Sequence, residues 1–510
     1  MNMVIGDLPT QCARRYPNKI AFIYEEKTIT FLEFNKRVNS LSNAILKLGL
    51  KPGNKVAVLS KNSPEMVEIC FAAAKAGMVY VPLNFRLVPI ELKFVINDAE
   101  IDLLFVGESF KKEIEEIRDG ISVSHIININ EEYEDFISQA SYNEPDVNVK
   151  PGDLFSIFYT SGTTGGPKGV MLTHENFLAG VINNTIAYKL GPSDVCLHVQ
   201  PFYHTMQKNM VMCQFYVGGT NVIMNNFDGH EFWRYVHKYG ITHITLVYTG
   251  LVMIMDAMEE GGYKLGTLKS YAVGGQTTPL PILQRAVKLF GPDVVFVVYG
   301  LTEASPLLTY LPKEDVALEG IGLKRLASVG KELFSCHVRV VDKDGNDVKP
   351  GNMGEIIARG PNVMVGYWKR PEETEKTLEG GWLHTGDMAT IDEDGYIYVV
   401  DRKKELIISG GENISPHEIE DVLHLHPAVQ ECAAIGVPDE KWGEQVKAIV
   451  VLKKDSRATE SELIQFCTER LARYKLPKSI DFVDALPKDP VGKIQKKILR
   501  EKYWRQSGEK

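Results

Sequence analysis

Cysteine is sparse and unpaired in this chain of 510 residues. The seven cysteines (Cys12, Cys70, Cys196, Cys213, Cys336, Cys432, Cys467) are scattered, odd in number and never spaced as Cys-x-x-Cys. That argues against a disulfide framework and a zinc knuckle and fits a reducing cytoplasm. Long apolar runs are missing as well. No stretch approaches the ~20 residues of a membrane span. The opening "MNMVIGDLPTQCARRYPNK" lacks a signal-peptide core, and the closing "QSGEK" is not a peroxisomal address. Neither sign of charge dominates: 57 Lys and Arg against 66 Asp and Glu leave a net −9, dispersed along the chain. Nucleic-acid-binding proteins concentrate a basic surface, so no nucleic-acid partner is expected. The densest basic stretch holds Lys488, Lys493, Lys496, Lys497 and Arg500. Internal repeats and low-complexity segments are absent.

What is present is an ordinary globular balance, 44% apolar and 24% charged, in a chain too long for one core. "TFLEFNKRVNSLSNAILKLGLKPG" has apolar residues at helical spacing and ends in a Gly/Pro cluster. "KVAVLS" reads as a buried strand. Ser63 then caps a helix with Pro64 at its first position, before the strand "MVYVPL". The alternation continues through "DLLFVG", "VCLHVQ", "ITHITLV", "SYAVGG" and "VVFVVYG", and it predicts an α/β fold of parallel-rich sheets flanked by helices. Beyond about residue 320 the pattern becomes hairpins with Asp-Gly turns, which predicts a small β-barrel-like antiparallel unit. After a charged turn at Asp401–Lys404 comes a smaller α+β domain. There "SGGENISPHEIEDVLHLHP" offers a capping box from Ser415, Pro416 and Glu418, and "ATESELIQFCTERLARY" reads as a helix.

"YTSGTTGGPKGV", Tyr159 to Val170, is the least core-like stretch. Its four glycines, four Ser/Thr hydroxyls and one lysine gain nothing from burial. Between the strand "DLFSIFYT" and the helix "THENFLAGVINNTI", such a loop leaves backbone N–H groups free to surround an anion, with Lys168 adding charge. It is neither a Walker A loop, since Lys168 lies between Pro167 and Gly169, nor a Gly-x-Gly-x-x-Gly fingerprint. A flexible surface loop is the alternative; Lys168 and the apolar strand before it favour phosphate.

The stretch resembles the signature of the adenylate-forming superfamily, which includes acyl-CoA synthetases, peptide-synthetase adenylation domains and luciferases. "YGLTEAS" (Tyr299–Ser305), "HTGDMATIDEDGYIYVVDRKKELIISGGENISPHEIE" (His384–Glu420) and "PKDPVGKIQKKILR" (Pro487–Arg500) resemble it too, in the family's order and at its spacing. The resemblance implies a large N-terminal domain (1–401), a hinge (402–404) and a mobile C-terminal domain (405–510). It implies that a carboxylate attacks the α-phosphate of ATP to give an acyl-adenylate and pyrophosphate, and that in the ligases a thiol then displaces AMP. Thr160, Ser161, Gly162, Thr163, Thr164, Gly165 and Lys168 would cradle the β- and γ-phosphates. Gly275, Gln276, Tyr299 and Gly300 would surround adenine, Asp387 would hold the ribose, and Arg402 would assist at the ribose or the phosphates. Thr302 would contact the α-phosphate, and Glu303 would hold Mg²⁺. His204 would stand near the acyl group, and Lys493 would bridge carboxylate and α-phosphate. Lys404 would serve as the hinge, and Gly411 belongs to the segment shown to the thiol.

Two positions depart from the commoner pattern: Val297-Val298 before Tyr299, and Gln276-Thr277-Thr278 after Gly275. Met206, Met210, Val211 and Tyr248 predict apolar acyl-pocket walls. Lys208 among them is expected to snorkel to solvent, the alternative being a second polar group on the acid. The function expected is an AMP-forming acyl-CoA synthetase of fatty acid metabolism or related chemistry. Its partners would be coenzyme A and a fatty, alicyclic or aromatic acid, and it would form a homodimer as relatives often do. The alternatives are loading of a phosphopantetheinyl carrier protein, a luciferase-like oxygenase, or a non-catalytic ATP-binding relative.

Overall fold

The computed structural model describes residues 3–160, 167–275, 278–402, 405–409, 412–439, 442–471, 473–488 and 494–506. Two large sheets dominate. One has nine strands, and its six from Val295–Gly300 across to Ile20–Tyr24 run parallel. The other has seven, with Leu154–Thr160, Val79–Pro82, Lys55–Leu59, Ile101–Val106 and His125–Asn128 parallel. Their segments interleave along the chain: Ile20–Tyr24 joins the first sheet beside Thr220–Ile223, some 200 residues later.

Helices between the sheets carry the shared core. Pro64–Lys75 ("PEMVEICFAAAK") is apolar nearly all round and buried almost throughout. Ser63 caps it as expected, its hydroxyl accepting from the Met66 amide at 3.4 Å. Phe31–Lys47 begins at a full capping box of Thr30 and Glu33. Phe22, Phe34, Phe71 and Phe215 meet from four elements with ring centroids 4.8–6.0 Å apart.

The smaller units follow. His337–Val341, Met353–Arg359, Leu383–Ile391 and Ile397–Arg402 form a four-stranded antiparallel sheet. A second α+β unit has a five-stranded sheet built on Val429–Asp439 and Gly443–Leu452. Pro416–His424 and Glu460–Thr468 pack on one face of it and Lys496–Gln506 on the other.

Three local expectations are corrected. The glycine-hydroxyl loop joins two antiparallel strands, Leu154–Thr160 and Lys168–Thr173, with Thr160 opposite Lys168. The helix His174–Ala187 lies over "THENFLAGVINNTI" as expected, with the unforeseen strand between it and the loop. Ser415 is the N-cap of its helix but forms no capping box: its hydroxyl donates to the Val400 carbonyl at 2.8 Å, and Glu418 pairs with Lys475. The helix expected over "ATESELIQFCTERLARY" stops at Thr468, where the Arg470 and Leu471 amides turn back onto the Cys467 carbonyl.

One packing contact sets the height of the turn Thr302–Ala304. Gly180 in the helix His174–Ala187 lies so close to the Ser305 carbonyl that a Cβ would stand 1.7 Å from its oxygen. Backbone cannot retreat as a flexible side-chain end can. Gly180→Ala is therefore expected to lose about 1–3 kcal/mol of stability, read as a lower urea midpoint. An unchanged midpoint would contradict this packing.

Candidate active site

The expected site residues follow the carboxyl ends of parallel strands, the edge at which α/β sheets place their ligands. Thr160 ends Leu154–Thr160, Gly300 ends Val295–Gly300, and Gly275 follows Ser270–Val273. The Tyr299 hydroxyl donates to Asp387 Oδ2 at 2.7 Å, tying the nine-stranded sheet to the antiparallel one. Asp387 is buried and sits opposite Arg402 in the strand register.

Gly275, Tyr299, Gly300 and Asp387 line a cavity of about 200 Å³ whose far wall belongs to the C-terminal unit: His417, Glu420, Asp421, His424, Ile494 and Lys496. Burial raises the Glu420 carboxyl, but Lys496 at 2.9 Å and His417 at 3.1 Å outweigh that and hold it down to about 2. Asp421 is instead pushed up to about 6 by burial, its carboxylate neighbours adding to the rise.

Glu303 lies in the short turn Thr302–Ala304, and its Oε1 accepts from the Tyr367 hydroxyl at 2.8 Å. Lys168 pairs with Glu373 and lies over the Tyr367 ring, 5.4 Å from its centroid. His204 precedes the helix Thr205–Val217 and stacks near Tyr203, centroids 4.4 Å apart. Its Nε2 is buried and has no partner among the described residues. Burial, with the charge of Arg86 adding, lowers its pKa to about 4, so the imidazole is neutral at physiological pH. Tyr248 begins its own helix and lines the same cavity as Tyr299.

Ser161, Gly162, Thr163, Thr164, Gly165, Gln276, Lys404, Gly411 and Lys493 lie outside the described residues, and of Arg402 only the backbone pairing is described. The structure brings Lys168 and Glu303 onto one tyrosine, and Tyr299 and Asp387 onto one hydrogen bond. His204 is not among the residues lining the cavity that holds Tyr299 and Asp387. Sequence reasoning missed Tyr367 and Glu373. "GYWKRPEET" offers an aromatic pair and an acid run as a signal, but its contacts lie 64 residues away or more.

Comparison with known proteins accords with this geometry. Residues 9–368 match the AMP-binding enzyme family and residues 418–493 the AMP-binding enzyme C-terminal domain. A feruloyl-CoA synthase of Amycolatopsis sp is 36% identical over 504 residues, 98% of this chain and 99% of that one. A 2-succinylbenzoate–CoA ligase of Bacillus cereus (strain AH820) is 36% identical over 485 residues, 95% and 96% of the two chains. The crystal structure of the anthranilate CoA ligase AuaEII with anthranoyl-AMP superposes with a TM-score of 0.92 at 27% identity, covering 99% of this chain and 98% of that one.

Lys208 corrects an expectation. It does not snorkel: it is fully buried, and among the described residues its Nζ has no hydrogen-bond partner. Its ammonium sits 5.1 Å and 5.0 Å from the ring centroids of Tyr80 and Phe202. Burial lowers its pKa from 10.5 to about 8, against a small opposing contribution from Cys70. Met206 and Met210 are two residues to either side, close to the opposite helix face, so Lys208 points away from any pocket that they wall. With the folded pKa below the unfolded one, the folded state holds this proton less tightly. The penalty is full below pH 8 and fades as pH rises toward 10.5. At pH 7, Lys208→Met is expected to gain about 2–3 kcal/mol of stability. Urea midpoints at pH 7 and pH 10 check this, and a gain that does not shrink at the higher pH would refute it.

Proposed function

The chain belongs to the AMP-binding enzyme family, and we propose that it works as an AMP-forming acyl-CoA synthetase on an aromatic or similarly apolar acid. It is an acid–thiol ligase that uses ATP and coenzyme A. The observation that carries the reading is the shared cavity: Tyr299 and Asp387 face Ile494, the residue after Lys493, across about 200 Å³. A nucleotide held by the first pair meets the lysine-bearing end of the C-terminal unit.

In the first half-reaction a carboxylate oxygen attacks the α-phosphorus, the α–β bridging P–O bond breaks, and pyrophosphate leaves with the electron pair. In the second, the thiol sulfur adds to the acyl carbon, its proton is lost to solvent or base, and AMP departs. Thr160 to Gly165 and Lys168 hold the β- and γ-phosphates. Gly275, Gln276, Tyr299 and Gly300 bound the adenine. Asp387, oriented by the Tyr299 hydroxyl, accepts the ribose hydroxyls with Arg402 beside it. Thr302 contacts the α-phosphate. Lys493 draws carboxylate and α-phosphate together and offsets the charge that builds between them. His204, kept neutral by burial, stands beside the acyl group without adding a second cation.

Magnesium fits the donor set near Glu303. The ion takes one or two carboxylates with phosphate oxygens and waters, and Glu303 offers a single carboxylate with one oxygen engaged by Tyr367. When bound, the ion would offset phosphate charge. The same proposal divides the chain at 402–404 and has residues 405–510 swing about Lys404 between the half-reactions, withdrawing Lys493 and presenting the Gly411 segment to the thiol. The seven cysteines are all buried and free, which supports a reducing cytoplasmic setting. A homodimer belongs to the same reading.

The test is pyrophosphate release across a panel of aromatic, alicyclic and fatty acids, with and without coenzyme A. Acid-dependent pyrophosphate release is expected, with AMP and thioester formed only when the thiol is present; ADP as the product would overturn the reading. Lys493→Ala should slow adenylation by about 10²–10³-fold yet spare thioester formation from supplied acyl-adenylate. Lys404→Pro should do the reverse, and equal loss of both steps in either variant would contradict the swing.

A further inference from the structure

Tyr367 is held from every side. Gly366 and Tyr367 pair antiparallel with Met171 and Val170 on the strand that begins at Lys168. The Trp368 amide donates to the Gly169 carbonyl at 2.8 Å, and the Trp368 indole N–H reaches the Asp98 carbonyl at 2.9 Å. The Tyr367 amide donates to Thr374 Oγ1 at 2.9 Å. Gly366 has φ +146°, and a Cβ there would stand 2.5 Å from Thr374 Cγ2, so the strand meets the following helix too closely for a side chain. The ring is therefore fixed by backbone at both ends and is buried.

This fixed ring touches two oppositely charged groups with different surfaces. Its face lies under the Lys168 ammonium, 5.4 Å from centroid to Nζ, where the ring quadrupole attracts a cation. Its hydroxyl donates to Glu303 Oε1 at 2.8 Å, a hydrogen bond to a charged acceptor. Lys and Glu side chains left free would lose rotamer entropy on ligand binding and could neutralise one another. A rigid spacer between them avoids both. Glu373 completes the arrangement as the carboxylate on Lys168 that an arriving phosphate would displace.

We propose that Tyr367 is a positioning residue: it sets the spacing between the phosphate-loop cation and the metal-associated acid, so that both meet the triphosphate already in place. This rests on the reading that Lys168 and Glu303 serve the triphosphate. The variants Tyr367→Phe and Tyr367→Leu separate its two surfaces. ATP binding is measured by calorimetry with and without Mg²⁺, alongside kcat of adenylation and KM for the acid. Tyr367→Phe keeps the ring. It should bind Mg²⁺-free ATP like the parent, need more Mg²⁺ for half-saturation, and lose about tenfold in kcat, as expected for one hydrogen bond to a charged group, at unchanged KM for the acid. Tyr367→Leu should in addition weaken Mg²⁺-free ATP binding by about two- to fivefold. Combining Tyr367→Phe with Glu303→Gln should cost no more than Glu303→Gln alone. If Glu303→Gln cripples adenylation while Tyr367→Phe matches the parent in kcat and Mg²⁺ dependence, the positioning role is wrong. If Glu303→Gln and Lys168→Met both match the parent, the underlying reading of the site is wrong instead.

Discussion

Two parallel sheets woven from alternating lengths of chain must close on one core, and the rest of the molecule follows from that. A parallel strand cannot be reached by a tight turn, so each return crosses the sheet through a helix. The helices Pro64–Lys75 and Thr205–Val217 are caught between the sheets and buried on nearly every face. Because the strands run one way, their carboxyl ends share an edge. Gly275 and Gly300 are brought to that edge of the nine-stranded sheet, and Thr160 ends a strand of the seven-stranded one. Asp387 reaches the same edge from the antiparallel unit and is fastened there by the Tyr299 hydroxyl. The cleft is thus a consequence of strand direction before it is a matter of side-chain chemistry.

Its charges are arranged with equal economy. The lysine of the loop has a carboxylate at hand, the acid of the turn has a hydroxyl, and Glu420 has the Lys496 ammonium and the His417 ring. His204 has burial and Arg86, which keep it uncharged. Lys208 breaks this order. A buried ammonium without a hydrogen-bond partner weakens the fold, and its contacts with Tyr80 and Phe202 return only part of the loss. Replacing it by an apolar chain of similar length is thus a gain the fold can accept without moving the active-site edge, since the side chain faces away from Met206 and Met210.

What the sequence made legible was local. Ser63 and Pro64 announced a helix start, and the "KVAVLS" and "VVFVVYG" runs announced strands. What it hid was pairing across distance. "PKGVML" reads as the approach to a helix, yet Leu154–Thr160 recruits it as a strand, because an apolar partner in register outweighs the glycine within it. Ser415 has every mark of a capping box, but the Val400 carbonyl lies closer to its hydroxyl than the helix amides do, and that partner cannot be guessed from spacing. Lys208 reads as a snorkelling lysine because helix spacing does not reveal that Tyr80 and Phe202, distant in sequence or outside the helix, cover it. Tyr367 carries no motif of its own; only its placement between residues 64 and about 200 positions away gives it meaning.

The swing proposed for residues 405–510 has an energetic basis in how the core is partitioned. Among the described residues, every buried apolar cluster lies wholly on one side of 402–404. Ile407, Leu423, Val450 and Leu463 pack together, Ile435, Leu486 and Leu499 form a second group, and neither takes a residue from the large sheets. The ties that cross are of another kind: the Ser415 hydroxyl on the Val400 carbonyl, the Tyr248 and His424 rings 6.3 Å apart, and the polar far wall of the cavity. Breaking such contacts exposes groups that water can satisfy, whereas splitting a common core would cost about 25 cal/mol for each Å² of apolar surface uncovered. A rigid unit with its own core, held by replaceable polar contacts, can change position without beginning to unfold. The same partition is what the proposed swing requires: residues 405–510 keep their own core, while Tyr299 packs against the apolar clusters on the N-terminal side.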